Sequence, residues 1–125
     1  MRHFPMSACN CSHAVVLTEE GKLLSLGLND NGQLGTSDNL ERTSFTPIMA
    51  PVKFTSVSCG SNNFTVACAE NGSLWAWGSN ENGQTGLPTE VNEPTQIPNT
   101  QYFVTVSCGW AHSVALDSFG VAWGF

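Results

Sequence analysis

The chain of 125 residues carries a formal net charge of −6, from 4 strong bases against 10 acidic side chains, and is 41% hydrophobic but only 11% charged, with 12 glycines and 4 tryptophans. A helical bundle would need far more Lys, Glu, Arg and Ala, so this composition favours turn-rich β structure. Direct nucleic-acid binding is disfavoured as well, because Arg2, Lys22, Arg42 and Lys53 are scattered along the chain and build no basic patch that would displace phosphate counterions.

The elements follow in chain order from short apolar runs bounded by Gly and Asn turns. Runs of about five residues predict strands rather than helices, near residues 5–9, 13–18 and 22–27, then 55–59, 64–69 and 73–78, then 104–108 and 112–116. Glu19-Glu20-Gly21 and Glu70-Asn71-Gly72 supply the positive backbone angle of a tight hairpin, so the runs on either side of each are expected to pair antiparallel. Two near-identical loops come next, Leu28 to Gly35 and Ser79 to Gly86, in which Gly32 and Gly83 are expected at positive φ. Each loop leads into a return containing Pro47 and Pro51, or Pro94 and Pro98. That return is expected to carry at most a short outer strand.

The runs repeat with a fixed period. Phe4 and Cys9, Phe54 and Cys59, and Phe103 and Cys108 are spaced five apart, and the three blocks begin 50 and then 49 residues after one another. A period of that length marks a repeat architecture and overrides a single-domain reading. It divides the chain into units at 1–53, 54–102 and 103–125.

The recurring residues are Cys9, His13, Gly27, Gly32, Gln33 and Gly35 in the first unit, Cys59, Gly60, Trp77, Gly78, Gly83, Gln84 and Gly86 in the second, and Cys108, Gly109, His112, Trp123 and Gly124 in the third. Together they resemble the regulator of chromosome condensation repeats. The resemblance implies an all-β fold, a partial β-propeller of about two and a half four-stranded blades. It also implies a ring of seven, so that the absent blades come from a longer parent chain or are replaced by self-association. Each open face is then expected to expose strand side chains with an aromatic such as Trp75 or Trp77. There are departures from the pattern: Asn10 stands in place of Gly and Leu26 in place of Trp. One extra residue falls between Cys59 and Gly72, which matches His13 with Asn63. Two residues are missing between Gly120 and Trp123, so the last residues need not form a strand.

Chemical constellations are weighed against this pattern. Cys9, Cys11 and His13 could hold a soft metal, yet Cys9 and His13 recur as Cys108 and His112, where no cluster exists, so both read as structural positions. Ser12 beside His13, and Ser113 beside His112, point to opposite sides of a strand and make no nucleophile-base pair. The run Asn29-Asp30-Asn31-Gly32 has Gly27 where a calcium loop needs its first acid. Gly32-Gln33-Leu34-Gly35 and Gly83-Gln84-Thr85-Gly86 lack the Lys-Ser/Thr of a phosphate cradle, and the Gln amide is expected to bond nearby backbone. The imidazoles are expected to be buried between blades, and Trp75, Trp77, Trp110 and Trp123 to pack between blades first and bind partners second.

No cofactor, metal or catalytic set is expected. Membrane and nucleic-acid partners are not expected either, since no stretch approaches the roughly 20 apolar residues of a spanning helix. With no secretory signal readable at Met1 to Phe4, the expected compartment is cytoplasmic or nuclear, with the 5 cysteines as free thiols. The family resemblance implies a protein-interaction segment rather than an enzyme. Its parent would act on a small GTPase by guanine nucleotide exchange or as an adaptor, the alternative being a propeller-type protein inhibitor of an enzyme.

Overall fold

The computed structural model describes residues 6–9, 12–99 and 101–125. It contains three antiparallel sheets in succession. Blade 1 is β1 (Met6–Cys9), β2 (His13–Leu17), β3 (Leu23–Gly27) and β4 (Arg42–Ile48); blade 2 is β5 (Phe54–Gly60), β6 (Phe64–Ala69), β7 (Leu74–Gly78) and β8 (Val91–Ile97). Blade 3 has three strands, β9 (Phe103–Cys108), β10 (Ser113–Asp117) and β11 (Ala122–Gly124). Strand order within each blade follows chain order, so every connection is a hairpin or a short return. The first strands β1, β5 and β9 pack side by side, which puts them on the inner side of the stack. This is the all-β partial propeller, and no helix occurs among the described residues.

The hairpin glycines Gly21 and Gly72 take φ of 82° and 85°, as tight antiparallel turns require. The outer strands depart from expectation. β4 and β8 each run for seven residues, with Pro47 in one and Pro94 in the other. Each lies at the outer edge of its sheet, so a proline without an N–H forfeits no ladder bond to a further strand.

Blade 2 shows why the apolar runs lack a polar alternation. All six residues of β6 and all five of β7 are buried. Phe64, Val66, Cys68, Leu74 and Ala76 pack with Phe103, Val106 and Ala115 of blade 3. Ala67, Ala69, Trp75 and Trp77 pack the other way, against Val15, Leu17, Leu23 and Ile48 of blade 1. A sheet covered on both faces must be apolar on both. Trp75 and Trp77 therefore do not line an open face. They sit edge-on to Phe54, at centroid distances of 6.3 and 6.4 Å, inside the first joint.

Register corrects two correspondences drawn from spacing. His13 stands opposite Gly27 and Phe64 opposite Gly78, so the blade 2 counterpart of His13 is Phe64 rather than Asn63. The extra residue of the second unit lies before Phe64, and it leaves Asn63 at φ 61°. In blade 3, Cys108 faces Ser113 as Cys59 faces Thr65. Ala115 then faces Trp123 as Ala67 faces Trp75. Trp123 thus corresponds to Trp75, Gly124 to Ala76, and Phe125 to Trp77. The third unit is not short, and its last residues do form a strand.

Candidate functional site

The end of the stack that carries loops 28–41 and 79–90 also carries the β1–β2, β5–β6 and β9–β10 connections. Its organising elements are the two Gln loops, which close on themselves in the same way. Asn29 Oδ1 accepts the Leu34 N–H at 3.0 Å, and Asn80 Oδ1 accepts that of Thr85 at 3.1 Å. Gln33 Oε1 and Gln84 Oε1 accept the N–H of Asn31 and Asn82, both at 2.9 Å. Gly32 donates to the Asn29 carbonyl and Gly83 to that of Asn80. Gly32 and Gly83 hold φ of 77° and 75°, where a side chain is strained.

Each loop is then keyed to the following blade. Thr65 Oγ1 donates to the Gln33 carbonyl at 3.0 Å, and Ser113 Oγ donates to the Gln84 carbonyl at 2.7 Å. Aromatic rings back these bonds. A Cβ on Gly35 would lie 2.9 Å from Trp77 Nε1, and one on Gly86 would lie 3.1 Å from the Phe125 ring, so both rings lie against glycine backbone. Neither Thr65 nor Ser113 is evident from the motif alone. The signal that could have found them is a hydroxyl six or five positions after Cys59 and Cys108.

His13 is 3% exposed and lies across the first joint, with Nε2 3.0 Å from Thr65 Oγ1. The single Thr65 hydroxyl proton goes to Gln33, so the imidazole Nε2–H donates to Thr65 Oγ1. Burial lowers its pKa to about 4. It bridges blades as expected, through a side chain rather than backbone. His112, at the same position of blade 3, is exposed, while Ser113 beside it is buried, so the two make no catalytic pair.

The thiols are packing groups. Cys68 donates to the Phe103 carbonyl across the second joint at 3.0 Å, and burial raises its pKa to about 11. Burial also raises that of Cys108, which lies 3.7 Å from the Ser58 carbonyl. Cys59 is half-buried against the blade 1–blade 2 core. The Cys9 side chain and Cys11 lie outside the described residues, among which no metal-holding cluster occurs. Gly60 and Gly109 make room for the rings of Phe64 and His112. Gly27 and Gly78 end β3 and β7 against the backbone of His13 and Phe64.

Outward from the loops the rim is acidic. It carries Asp30, Asp38, Glu41, Glu81, Glu90 and Glu93 against Arg42, whose guanidinium is bound to Asp38 at 2.7 Å. Asn63 ties this rim together, accepting from Ser12 Oγ at 2.7 Å and donating to Asn31 Oδ1 at 3.3 Å. Asn31, Asn39, Glu90, Asn92 and Glu93 line a polar cleft of about 330 Å³ between the loops. Trp110 is 65% exposed on the same end, its carbonyl held by the Asn62 N–H.

Sheets stacked through keyed loops define a β-propeller segment. The profile of the Regulator of chromosome condensation (RCC1) repeat matches residues 20–68 and 71–116, and a second profile of the same repeat matches residues 54–84. The chain belongs to this repeat family. It is 39% identical over 121 residues to the Protein RCC2 homolog of Xenopus laevis, covering 91% of this chain and 23% of that one. It is 31% identical over 124 residues to the Ultraviolet-B receptor UVR8 of Arabidopsis thaliana, covering 94% and 28%. It is 41% identical over 96 residues to the X-linked retinitis pigmentosa GTPase regulator of Canis lupus familiaris, covering 73% and 10%. All of this chain superposes on 33% of Prp20p from Saccharomyces cerevisiae, described with its binding to Gsp1p and histones, at a TM-score of 0.86 and 26% identity. The chain thus spans about a quarter of the length of the first of these relatives.

Two outcomes follow from the joint. His13 stays neutral in the folded chain down to about pH 4, whereas the unfolded chain takes up its proton near pH 6.5. The stability it contributes is full above pH 6.5 and is lost as pH falls from there to 4, on the order of 3 kcal/mol in all. The carboxyls of Asp38 and Asp117 are held below their usual range by Arg42 and Trp123 respectively, so their contributions fade only below about pH 4. Urea unfolding at stepped pH should show both windows, and His13→Phe, which copies Phe64, should erase the upper one. Unfolding should also separate the loop glycines. Gly83→Ala costs about 1 kcal/mol from backbone angle alone, because its Cβ meets nothing, whereas Gly32→Ala costs more because its Cβ would lie 2.6 Å from Asn92 Cβ.

Proposed function

We propose that this segment is the protein-binding part of a propeller that regulates a small GTPase, by guanine nucleotide exchange or as an adaptor, through the acidic Gln-loop rim. One observation carries the reading. The loops are fixed from within by Asn29, Gln33, Asn80 and Gln84, leaving their charged side chains outside. A rim held rigid in advance loses little entropy when it binds, and an excess of acidic charge selects and steers a basic partner. A relative named as a GTPase regulator and the binding of Prp20p to Gsp1p support the choice of a GTPase.

The role is binding rather than catalysis. The buried histidine is already bonded and neutral, and the buried thiols are held protonated, so neither group is poised as a base or nucleophile. The free thiols at Cys68 and Cys108 suit a reducing compartment, cytoplasmic or nuclear.

The test measures release of labelled GDP from a panel of small GTPases by a propeller containing this segment, alongside binding by calorimetry. Acceleration with at least one GTPase marks an exchange factor, and binding without acceleration marks an adaptor. Glu41→Lys with Glu81→Lys, both exposed, should weaken binding about tenfold, roughly 1.4 kcal/mol, with the melting temperature unchanged. Absence of binding to every GTPase, or indifference to the charge reversal, contradicts the reading.

A further inference from the structure

The chain contains the Asn-Gly pairs Asn31-Gly32, Asn71-Gly72 and Asn82-Gly83, whose glycines hold positive φ of 77°, 85° and 75°. Asparagine before glycine is chemically labile, because glycine has no side chain to keep its backbone nitrogen away from the asparagine carboxamide. Equal intrinsic lability meets three different surroundings here.

At Asn31 the carboxamide is held from both sides: Nδ2 donates to Glu90 Oε1 and Oδ1 accepts from Asn63 Nδ2, each at 3.3 Å. Gly32 is buried, with Asn92 packed where its Cβ would lie. At Asn71, Oδ1 accepts from the Ser73 N–H at 3.1 Å and from the Ser73 hydroxyl. Gly72 is buried beneath the Tyr102 ring, and its N–H donates to the Ala69 carbonyl at 2.9 Å. Asn82 has none of these restraints. Its carboxamide bonds to none of the described residues, and both Asn82 and Gly83 are exposed. A Cβ on Gly83 would meet nothing within 4 Å, and the Gly83 N–H makes a longer bond, 3.2 Å, to the Asn80 carbonyl.

We infer that Asn82 is a site of spontaneous chemical modification, converting to aspartate and isoaspartate in the folded chain while Asn31 and Asn71 are protected. Solvent hydroxide takes the Gly83 amide proton, and the nitrogen forms a bond to Asn82 Cγ. The Cγ–Nδ2 bond breaks and ammonia leaves, its third proton coming from water. The five-membered imide then takes up one water. Opening at Cγ gives aspartate, and opening at the main-chain carbonyl gives isoaspartate, in which the chain runs through Cβ and Cγ. Nothing is oxidised or reduced.

The two products act differently on the loop. Aspartate adds a carboxylate next to Glu81 and keeps the backbone. Isoaspartate adds the same charge but lengthens the main chain by one carbon, beside the Asn82 N–H that donates to Gln84 Oε1 at 2.9 Å. That bond pins the loop whose Gln84 carbonyl accepts from Ser113, so isoaspartate loosens the second joint. The inference is independent of the GTPase reading, since it concerns the chemistry of the loop itself.

The experiment incubates the 125-residue chain, its strands verified by circular dichroism, at a series of neutral to mildly alkaline pH values, folded and in urea. Peptide mass mapping follows the change from amide to acid at each asparagine. An isoaspartyl carboxyl methyltransferase with labelled S-adenosylmethionine counts isoaspartate. In urea the three sites should convert at similar rates, rising with pH. In the folded chain Asn82 should keep close to its urea rate, with Asn31 and Asn71 at least about tenfold slower, because each must wait for local opening. Asn82→Gln should remove most of the methyl acceptance. Asn82→Asp should melt with the parent chain, and the isoaspartyl form, separated by ion exchange, about 4 °C lower. Conversion of Asn31 or Asn71 as fast as Asn82 in the folded chain, or tenfold slowing of Asn82 on folding, overturns the inference. An isoaspartyl form that melts with the parent chain overturns its effect on the joint.

Discussion

The structure depends on one hydrogen bond used twice, from a hydroxyl on the second strand of one blade to the glutamine carbonyl in the loop of the blade before it. That carbonyl sits in a buried joint, where an unmet acceptor costs about 1–3 kcal/mol. The carbonyl can be in the right place only because Asn29 or Asn80 pins the loop from one side and the glutamine side chain pins it from another. An aromatic ring packs against Gly35 or Gly86 at the end of each loop. Loop, key and ring form one unit, and losing any part exposes the others.

This unit explains how an 11%-charged chain with many glycines holds its shape. Blade 2 is sandwiched, so its middle strands β6 and β7 have no exposed face, and their apolar runs gain burial from two neighbours. Polar groups within the stack include hydroxyls such as Ser25, Ser56, Thr65 and Ser113 and those of the outer strands β4 and β8, while most charged groups lie at its ends. Most of the carboxylates gather at the Gln-loop end, while Lys22 and Lys53 lie at the hairpin end with Glu19, Glu20 and Glu70. The segregation follows from the fold: the loops at one end must be long enough to reach the next blade, and their outward residues are free of packing demands.

The repeat was legible because its period and its glycines are imposed by backbone geometry, which leaves a mark on every copy. Gly21, Gly32, Gly72 and Gly83 take the positive angles expected of them. Correspondences drawn by counting were less secure. His13 matched to Asn63, and Trp123-Gly124 matched to Trp77-Gly78, fail because spacing cannot tell a residue inserted in a loop from one inserted in a strand. Strand register can, since each ladder pair fixes its partner. The keys Thr65 and Ser113 stayed hidden for a different reason: a hydroxyl on a strand looks like any β-favouring residue until the loop that meets it is in place. The seven-residue outer strands were hidden by their prolines, which an edge tolerates and an interior does not.

The central claim is that the hydroxyl-to-carbonyl key, rather than apolar contact alone, holds one blade to the next. The most direct measurement is the unfolding free energy of Thr65→Val beside Thr65→Ser. Valine keeps the volume and removes the donor, leaving the Gln33 carbonyl and His13 facing a methyl group, so a loss of about 1–3 kcal/mol is expected, with serine retaining most of the stability. A valine variant as stable as the parent chain would contradict the account.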